Sequence, residues 1–510
     1  MLAARAIDAD FGTLSDLIRL HAAEAPDRVA LVDDTTTLTY AALDARADRI
    51  AAALQRDGVL PGQAVSICGA ASVDYAALFI GILRAGAAVA PLAPSSTADG
   101  LAAMIADCEA KLLFIDAEVA AALHGRALPP TYALDDHDAW LTPPGTRPAP
   151  AAIAPEMPFN IIYSSGTTGT PKGIVQSHRM RWPHAQGMKL GYGPDTVSLL
   201  STPLYSNTTL VCFVPTLANG GAVVLMRKFD VGGYLERAVR HGVTHTMLVP
   251  VQYRRLMEHP EFDAHDLSRF VMKFCTSAPF AAELKADVLR RWPGGLVEFF
   301  GMTEGGGSCT LVAHQFPDKL HTVGRPSPGC DIRLIGEDGV EVASGAIGEI
   351  VGRSQSMMNG YHGRPDATAA ATWTSPDGHS FIRTGDVGRF DDDGFLTLMD
   401  RKKDMIISGG FNIYPSDIEA VVAAHADVAE VAVVGVASDR WGETPVAFIV
   451  SRGADADTLR DWANARLGKT QRLASVVLVD ALPRSAIGKV LKRELRDGYS
   501  PLPPSRERVE

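Results

Sequence analysis

The sequence predicts an α/β fold, with a large N-terminal domain of layered α/β sheets and a small, mobile α+β domain at the C-terminus. The 510 residues exceed what one hydrophobic core usually serves. Apolar runs of strand length alternate with amphipathic helices over the first two thirds of the chain, which is typical of a parallel sheet covered by helices. Toward residue 400 this alternation gives way to short strands and a glycine pair, which indicates a second domain.

The spacing of apolar residues gives the individual elements. In the first part of the chain we predict helices over residues 41–54, 75–83 and 234–240, and strands over 65–68, 88–92, 222–226 and 246–249. In the last part we predict helices over 416–424 and 459–467, strands over 428–437, 444–451 and 476–479, and a Gly-rich loop after the charged turn. The charged turn at residues 400–403 is then the boundary between a domain of residues 1–399 and a small domain of residues 404–496, and a flexible tail, 497–510, follows.

Composition narrows the class of protein. A formal net charge of −11 argues against general binding to nucleic acid or anionic membranes. The six cysteines are too widely spaced for a metal clip, which favours reduced thiols in a cytoplasmic enzyme. No apolar run approaches the roughly 20 residues of a membrane span, and no signal core begins the chain. The oligomeric state stays open, a homodimer included.

The strongest chemical motif is NIIYSSGTTGTPKG, at residues 160–173. An apolar strand leads into a loop whose small residues, hydroxyls and backbone N–H groups suit an anion. The candidate phosphate-binding residues are Ser164, Ser165, Gly166, Thr167, Thr168, Gly169, Thr170 and Lys172. A Walker A loop is excluded, because Pro171 precedes the lysine and Gly173 follows it.

This loop resembles the signature loop of the adenylate-forming superfamily, which includes acyl-CoA synthetases, beetle luciferases and peptide-synthetase adenylation domains. There it binds the pyrophosphate end of ATP. The resemblance implies ATP and a carboxylic acid as substrates, Mg²⁺ as the metal and coenzyme A as the second substrate. It covers most of the chain, since further motifs of the superfamily follow in the same order.

The second motif is FFGMTE, at residues 299–304. By resemblance, Thr303 contacts the α-phosphate and Glu304 binds Mg²⁺, a metal that takes few carboxylates and completes its shell with phosphates and water. The resemblance assigns AMP binding to Phe299, Phe300, Gly301 and Met302, together with Ser277, Ala278 and Pro279.

Three later motifs complete the match. In RTGD, Asp386 would bind the ribose, and in DRKKDMIISGGFN, Arg401 would do the same. In that second motif Lys403 matches the hinge of the small domain, and Gly409 and Gly410 would line the path of CoA. In LPRSAIGKVLK, Lys489 would bridge the substrate carboxylate and the α-phosphate, because a cation offsets charge where two anions meet.

The acyl pocket is where the match is weakest. The resemblance places Tyr205, Ser206, Asn207, Val251, Gly306 and Gly307 there. Many relatives carry an aromatic residue followed by His where this chain has Tyr205 and Ser206. The glycines after Glu304 suggest a roomy cavity, and no Arg or Lys stands at the pocket. We therefore expect a medium-chain fatty or aromatic acid, in preference to acetate or a dicarboxylate such as malonate.

Taken together, the motifs predict an ATP-dependent acyl-CoA synthetase that forms an acyl-AMP and then the CoA thioester. Two other ligases remain open: an adenylation enzyme that loads a carrier-protein thiol, and an oxidative ligase like luciferase. A third alternative is a scaffold that binds nucleotide or acid without turnover. The intact set of five charged residues, Lys172, Glu304, Asp386, Arg401 and Lys489, argues against that scaffold.

Overall fold

The computed structural model describes residues 2–164, 172–187, 190–401, 404–408, 411–438, 441–468, 471–485 and 488–499. The helices of these ranges are α1 (Leu2–Ile7), α2 (Leu14–Glu24), α3 (Tyr40–Arg56), α4 (Val73–Arg84), α5 (Ala98–Asp107), α6 (Ala117–Ala122), α7 (His178–Ala185), α8 (Asn207–Ala218), α9 (Val231–Arg240), α10 (Pro250–Met257), α11 (Ala282–Arg291), α12 (Pro365–Ala370), α13 (Pro415–Ala423), α14 (Ala456–Asn464) and α15 (Lys492–Asp497).

The first eighteen strands lie before residue 362. They are β1 (Val29–Val32), β2 (Thr37–Thr39), β3 (Ala64–Cys68), β4 (Ala88–Leu92), β5 (Leu113–Ile115), β6 (Thr131–Ala133), β7 (Pro158–Ser164), β8 (Lys172–Ser177), β9 (Val197–Leu200), β10 (Ala222–Leu225), β11 (His245–Leu248), β12 (Met272–Cys275), β13 (Gly295–Phe300), β14 (Cys309–Val312), β15 (Arg325–Pro326), β16 (Asp331–Ile335), β17 (Gly348–Arg353) and β18 (Gly360–Tyr361). The later strands are β19 (Thr372–Thr374), β20 (Ser380–Phe390), β21 (Leu396–Arg401), β22 (Ile406–Ser408), β23 (Phe411–Ile413), β24 (Val428–Ser438), β25 (Gly442–Ser451) and β26 (Ser475–Leu478).

The chain divides into two compact units. The larger consists of Met1–Arg333 and Val351–Thr384, and the smaller of Leu334–Ile350 and Gly385–Glu510. The chain therefore passes from one unit to the other within β16, β17 and β20. The predicted hinge at residues 400–403 stays a prediction, and its Lys403 lies outside the described residues.

Two sheets organise the larger unit. One has nine strands in the order β15-β14-β13-β12-β11-β9-β10-β1-β2, and its strands from β13 to β1 are parallel. The other has seven strands in the order β18-β8-β7-β4-β3-β5-β6, with β8 antiparallel to both of its neighbours. Helices connect the parallel strands, as the alternation in the sequence predicts.

Helix caps explain why two of the observed helices begin slightly earlier than the apolar periodicity predicts. The Thr39 hydroxyl accepts a hydrogen bond from the Ala42 N–H at 3.2 Å and starts α3. The Ser72 hydroxyl accepts from the Tyr75 N–H at 3.1 Å and starts α4. Eleven of the twelve residues of α4 are buried, all except Asp74, so this helix lies inside the core.

An aromatic cluster connects elements of the two sheets. The ring of Phe79, in α4, lies 5.8 Å from Phe159 in β7 and 6.0 Å from Phe213 in α8. Strand β7 belongs to the seven-stranded sheet, and α8 connects β9 to β10 of the nine-stranded sheet. All three rings are buried, so the cluster fixes how the two sheets pack.

The smaller unit contains an α+β domain with its own core. Strands β24 and β25 form a long antiparallel pair, flanked by β22 and β26, and the sheet order is β23-β22-β25-β24 with β26 beside β25. Ile406, Ile418, Val433, Ile449 and Leu459 are buried together against this sheet. A further sheet has the order β16-β17-β20-β19, with β21 paired to β20. The predicted fold class is confirmed.

One predicted helix is confirmed with different bounds, and one predicted loop is wrong. The helix predicted at residues 459–467 is α14 (Ala456–Asn464), because the Asp455 carboxylate caps the Thr458 N–H at 2.9 Å and starts the helix earlier. The stretch predicted as a Gly-rich loop contains the paired strands β22 and β23.

Two further features bear on the class of protein. The six cysteines are unpaired, and five of them are buried. Among the described residues, none of the helices is at once long enough and apolar enough to cross a bilayer.

The Phe79 cluster gives a test of the core. We expect Phe79→Ala to lower the free energy of unfolding of the larger unit by about 3–5 kcal/mol, because the cavity lies between rings that cannot all close in. Urea unfolding followed by tryptophan fluorescence measures this change. Val239→Ala, at a side chain that is 45% exposed, is the control and should cost less than about 0.5 kcal/mol. Equal shifts for the two variants would contradict this role of the cluster.

Candidate active site

Most of the predicted site residues of the larger unit follow the carboxyl ends of four neighbouring parallel strands. Strand β13 ends in Phe299 and Phe300, and Gly301, Met302, Thr303 and Glu304 come next. Ser277, Ala278 and Pro279 follow β12, Val251 follows β11, and Tyr205, Ser206 and Asn207 follow β9. Because the four strands are adjacent and parallel, these segments share one edge of the nine-stranded sheet, where ligands of open α/β sheets bind.

Ser277 is held in a strained backbone conformation at this edge. Its φ of +83° is rare for a residue with a side chain. Its hydroxyl oxygen lies 2.5 Å from that of Thr208, one residue into α8. This hydrogen bond ties the segment after β12 to the segment after β9. Backbone strain of this kind clusters at functional sites, which fits the predicted AMP-binding segment.

The predicted acyl-pocket residues after β9 also have structural partners. The Ser206 hydroxyl accepts a hydrogen bond from the Thr208 N–H at 3.3 Å and caps α8. Burial raises the pKa of Tyr205, and a hydrogen bond with Ser95 offsets part of that rise. Asn207 is the first residue of α8 and is half-buried. Ser206 is therefore occupied in capping the helix, and Asn207 Oδ1 accepts a hydrogen bond from the Arg181 guanidinium at 2.7 Å.

The phosphate-loop motif is described only at its two ends. Ser164 is the last residue of β7, Lys172 is the first of β8, and the two are paired in register. The predicted loop residues Ser165, Gly166, Thr167, Thr168, Gly169 and Thr170 lie outside the described residues. Two antiparallel strands therefore hold the ends of the loop side by side.

Lys172 belongs to a cluster that sequence reasoning missed. Its Nζ lies 5.1 Å from the centre of the Tyr361 ring, a cation–π distance. The Tyr361 hydroxyl donates a hydrogen bond to Glu304 Oε1 at 2.9 Å. Burial, and then the Glu304 carboxylate, raise the pKa of Tyr361, so the phenol stays protonated as the donor. The one signal in the sequence is an aromatic residue beside Gly360, which is too common to be informative.

Glu304 fits the metal that the resemblance implies. Among the described residues, no three His, Cys, Asp or Glu side chains gather into a ligand set of their own. A single half-buried carboxylate suits Mg²⁺, which is usually held by one or two carboxylates, substrate phosphates and water. The donor set would suit zinc poorly, because zinc prefers several nitrogen or sulfur ligands.

The three glycines after Glu304 do not leave a roomy cavity, and that expectation is wrong. All three have positive φ angles, +77°, +76° and +118°. A Cβ on Gly305 would lie 1.8 Å from the Ser356 carbonyl oxygen. A Cβ on Gly306 would meet Ile382 at 2.7 Å, and one on Gly307 would meet Ile332 at 2.7 Å. Glycine is needed here because other parts of the larger unit pack directly against the backbone.

A buried polar network links β8 to the segment that carries Thr303 and Glu304. Gln176 Nε2, in β8, donates to the Thr303 carbonyl oxygen at 2.6 Å. Gln176 Oε1 accepts from Asn160 Nδ2 at 2.9 Å and from the Arg181 guanidinium. Arg181 also donates to Asn207 Oδ1 at 2.7 Å, so a cation does stand beside the predicted acyl pocket. Sequence reasoning missed it, since one arginine in a helix carries no signal of burial.

A buried ion pair supports β13. Lys285, in α11, pairs with Glu298 in β13, and both side chains are buried. Burial raises the pKa of Glu298 to about 7, an effect that the lysine opposes. Lys285 Nζ also donates to the carbonyl oxygens of Leu320 at 2.7 Å and Thr322 at 3.0 Å. The pair therefore anchors the strand that leads into the FFGMTE motif.

The remaining predicted residues belong to the smaller unit. Asp386 in β20 is the cross-strand partner of Arg401 in β21, so the two predicted ribose contacts come together. The Lys489 carbonyl oxygen accepts a hydrogen bond from the Ser485 N–H at 2.8 Å. Gly409 and Gly410 lie outside the described residues.

Comparison with known proteins agrees with this geometry. Residues 18–362 match the family model described as AMP-binding enzyme, and residues 417–489 match the one described as AMP-binding enzyme C-terminal domain. The chain is 34% identical to the indoleacetate–CoA ligase of Aromatoleum aromaticum, with 95% of this chain and 97% of that one covered. It is 35% identical to a feruloyl-CoA synthase of an Amycolatopsis species, with 92% and 96% covered.

Other similar proteins include a carrier-protein ligase and solved structures. A fatty acid–acyl-carrier-protein ligase of Streptomyces coeruleorubidus is 30% identical, with 96% of each chain covered. The structure of ATP-bound MatB from Rhodopseudomonas palustris has a TM-score of 0.83 and 29% identity, with 94% of this chain and 99% of that one covered. The chain therefore belongs to the family of AMP-binding enzymes, and its activity is that of an AMP-forming acid–thiol ligase.

Proposed function

We propose that the enzyme activates an aromatic or medium-chain fatty carboxylic acid as its acyl-AMP and then transfers the acyl group to coenzyme A. The observation that carries this proposal is the cluster of Lys172, Tyr361 and Glu304 beside Thr303, which combines a cation and a metal-binding carboxylate. One relative is named as an indoleacetate–CoA ligase and another as a feruloyl-CoA synthase, and these two names favour an aromatic acid within this class.

In the first half-reaction, a carboxylate oxygen of the acid attacks the α-phosphorus of ATP. A new P–O bond forms, and the bond to the pyrophosphate oxygen breaks. Lys172 and the loop from Ser164 bind the departing pyrophosphate, and Thr303 contacts the α-phosphate. Glu304 would hold Mg²⁺, which would supply neutralising charge for the phosphates.

The other predicted residues bind the adenylate and complete the charge balance. Phe300 and the segment Ser277 to Pro279 contact the adenine, while Asp386 and Arg401 bind the ribose. Lys489 bridges the carboxylate and the α-phosphate. These roles rest on the motifs that the chain shares with its family.

In the second half-reaction, the thiolate of CoA attacks the acyl carbonyl, and the C–O bond to AMP breaks. The small domain rotates about Lys403, which removes Lys489 and brings Gly409 and Gly410 to the path of the thiol. A thiol on a carrier protein is the second candidate acceptor, because one relative is named as a carrier-protein ligase. The six unpaired cysteines support a reducing compartment such as the cytoplasm as the place of action.

The first test measures pyrophosphate release with a panel of aromatic and fatty acids, with and without CoA. We expect release that depends on the acid, is followed by formation of an acyl-CoA, and is fastest with an aromatic acid. Lys489→Ala should slow release at least a hundredfold, because the cation no longer offsets charge between the two anions.

The matched control is Lys111→Ala, which removes an exposed lysine elsewhere on the chain. It should leave the rate within twofold of that of the natural sequence. Release without any acyl-CoA would move the assignment to a carrier-protein acceptor. An absence of release with every acid would count against the ligase activity itself.

A second test addresses the phenol that holds Glu304. Tyr361→Phe keeps the ring over Lys172 and removes the hydrogen bond to the carboxylate. We expect the Mg²⁺ concentration for half-maximal rate to rise about fivefold, since one hydrogen bond to a charged group is worth roughly 1–2 kcal/mol. Steady-state pyrophosphate release against Mg²⁺ measures this shift.

The same variant has an internal control in the KM for the acid, which should not change. Tyr361→Leu removes the ring as well, so it should also raise the KM for ATP through the lost contact with Lys172. An unchanged Mg²⁺ requirement in Tyr361→Phe would show that the hydrogen bond does not position Glu304.

A further inference from the structure

Arg181 is a buried cation whose hydrogen-bond partners are neutral. It lies in α7, directly after β8, and its side chain is among the largest that are fully buried. Its Nε donates to Asn160 Oδ1 at 3.2 Å, and its Nη2 donates to Asn207 Oδ1 at 2.7 Å and to Gln176 Oε1. All three partners are uncharged amides. Across the described ranges, no carboxylate forms an ion pair with Arg181, and its Nη1 has no hydrogen-bond partner.

The surroundings of Arg181 leave its charge in place. Burial lowers its pKa to about 9, which still leaves the guanidinium charged at neutral pH. His184, one turn further along α7, has its pKa lowered to about 3 by burial and then by Arg181, so this side chain is neutral. The ring of Phe159 lies 5.8 Å from the guanidinium carbon and carries no formal charge.

A buried charge without a counter-ion is costly. Its desolvation costs several kcal/mol, and proteins usually pair such a cation with a carboxylate. The three amides satisfy hydrogen bonds but do not neutralise the charge. In a medium of low dielectric constant, the field of such a cation extends to its neighbours with little screening.

Hydrogen bonds through Gln176 and Asn207 connect Arg181 to the predicted reaction centre. Gln176 bridges the guanidinium and the Thr303 carbonyl: its Oε1 accepts from Arg181, and its Nε2 donates to the Thr303 carbonyl oxygen at 2.6 Å. The guanidinium also donates to Asn207, the first residue of α8, and the next residue, Thr208, contacts Ser277. Both paths end at the edge of the sheet where, on the proposed function, a carboxylate and a phosphate meet.

We infer that Arg181 is a positioning residue for adenylation, whose unneutralised charge stabilises the two anions of the first half-reaction and whose amide partners hold Thr303 and Asn207 in place. This inference rests on the proposed function, since it requires those anions at this edge. It differs from a purely structural cross-link, which would need the hydrogen bonds of Arg181 and not its charge.

The decisive variant is Asn207→Asp, which puts a carboxylate at the atom that now accepts from Arg181 Nη2. We expect a folded enzyme whose melting temperature is not lowered, because the buried cation gains a counter-ion. Acid-dependent pyrophosphate release should fall about tenfold, because the new carboxylate neutralises the charge that stabilises the two anions. A rate equal to that of the natural sequence would overturn the inference, because a structural cross-link keeps its hydrogen bond.

Substitutions of the arginine itself provide the second arm. Arg181→Lys keeps the charge and should lose less adenylation activity than Arg181→Leu, which removes it. The loss should fall on kcat for pyrophosphate release and not on the KM for CoA. Equal losses in the two variants at matched melting temperatures would overturn the role of the charge.

A reserve variant and the activity of the natural sequence distinguish failure of this inference from failure of the proposed function. If Asn207→Asp lowers the melting temperature, Asn160→Asp supplies the carboxylate from the other side of the guanidinium. It is compared with Asn160→Leu, which loses the same hydrogen bond to Gln176 without adding charge. A lower rate in Asn160→Asp supports the role of the charge, and equal rates overturn it. If the natural sequence releases no pyrophosphate with any acid, the proposed function fails and this inference fails with it. An active natural enzyme with unaffected variants removes the inference alone.

Discussion

The hydrogen bond from Gln176 to the Thr303 carbonyl joins the two halves of the candidate site in the larger unit. Gln176 lies in β8 of the seven-stranded sheet, and Thr303 follows β13 of the nine-stranded sheet. The amide is fully buried, so an unsatisfied end would cost about 1–3 kcal/mol. Asn160 and Arg181 satisfy its oxygen. The strand that leaves the phosphate loop is thus held at a fixed distance from the FFGMTE motif.

The rest of the site depends on that fixed distance. Lys172 and Arg181 supply positive charge, and Glu304 supplies the carboxylate that we propose holds a metal, a combination that suits a substrate with a triphosphate. Tyr361 donates a hydrogen bond to Glu304 and packs its ring against Lys172. The glycines after Glu304 let neighbouring parts of the chain pack directly against their backbone. The charges are therefore placed by packing and hydrogen bonds before a substrate arrives, which is the condition for electrostatic preorganisation.

The sequence predicted those features that lie within one short stretch of chain. Helices α3 and α4 follow from local periodicity and caps, and the phosphate loop and FFGMTE are contiguous motifs. Tyr361 and Arg181 could not be found in this way, because their partners Glu304 and Asn207 are 57 and 26 residues away in the chain. The glycines were misread for the same reason, since only the tertiary structure shows which backbone lies against them.

The register of β8 explains why these contacts occur together. Lys172 and Gln176 are four residues apart, and alternate side chains of a strand point to the same face. That face meets Tyr361 at one end and Thr303 at the other. A slip of one residue against β7 would turn both side chains to the opposite face. The pairing of Ser164 with Lys172, at the two ends of the phosphate loop, therefore also sets the position of Arg181's partner Gln176. The loop, the proposed metal-binding carboxylate and the buried cation thus share one structural constraint, although the buried cation is not part of any motif.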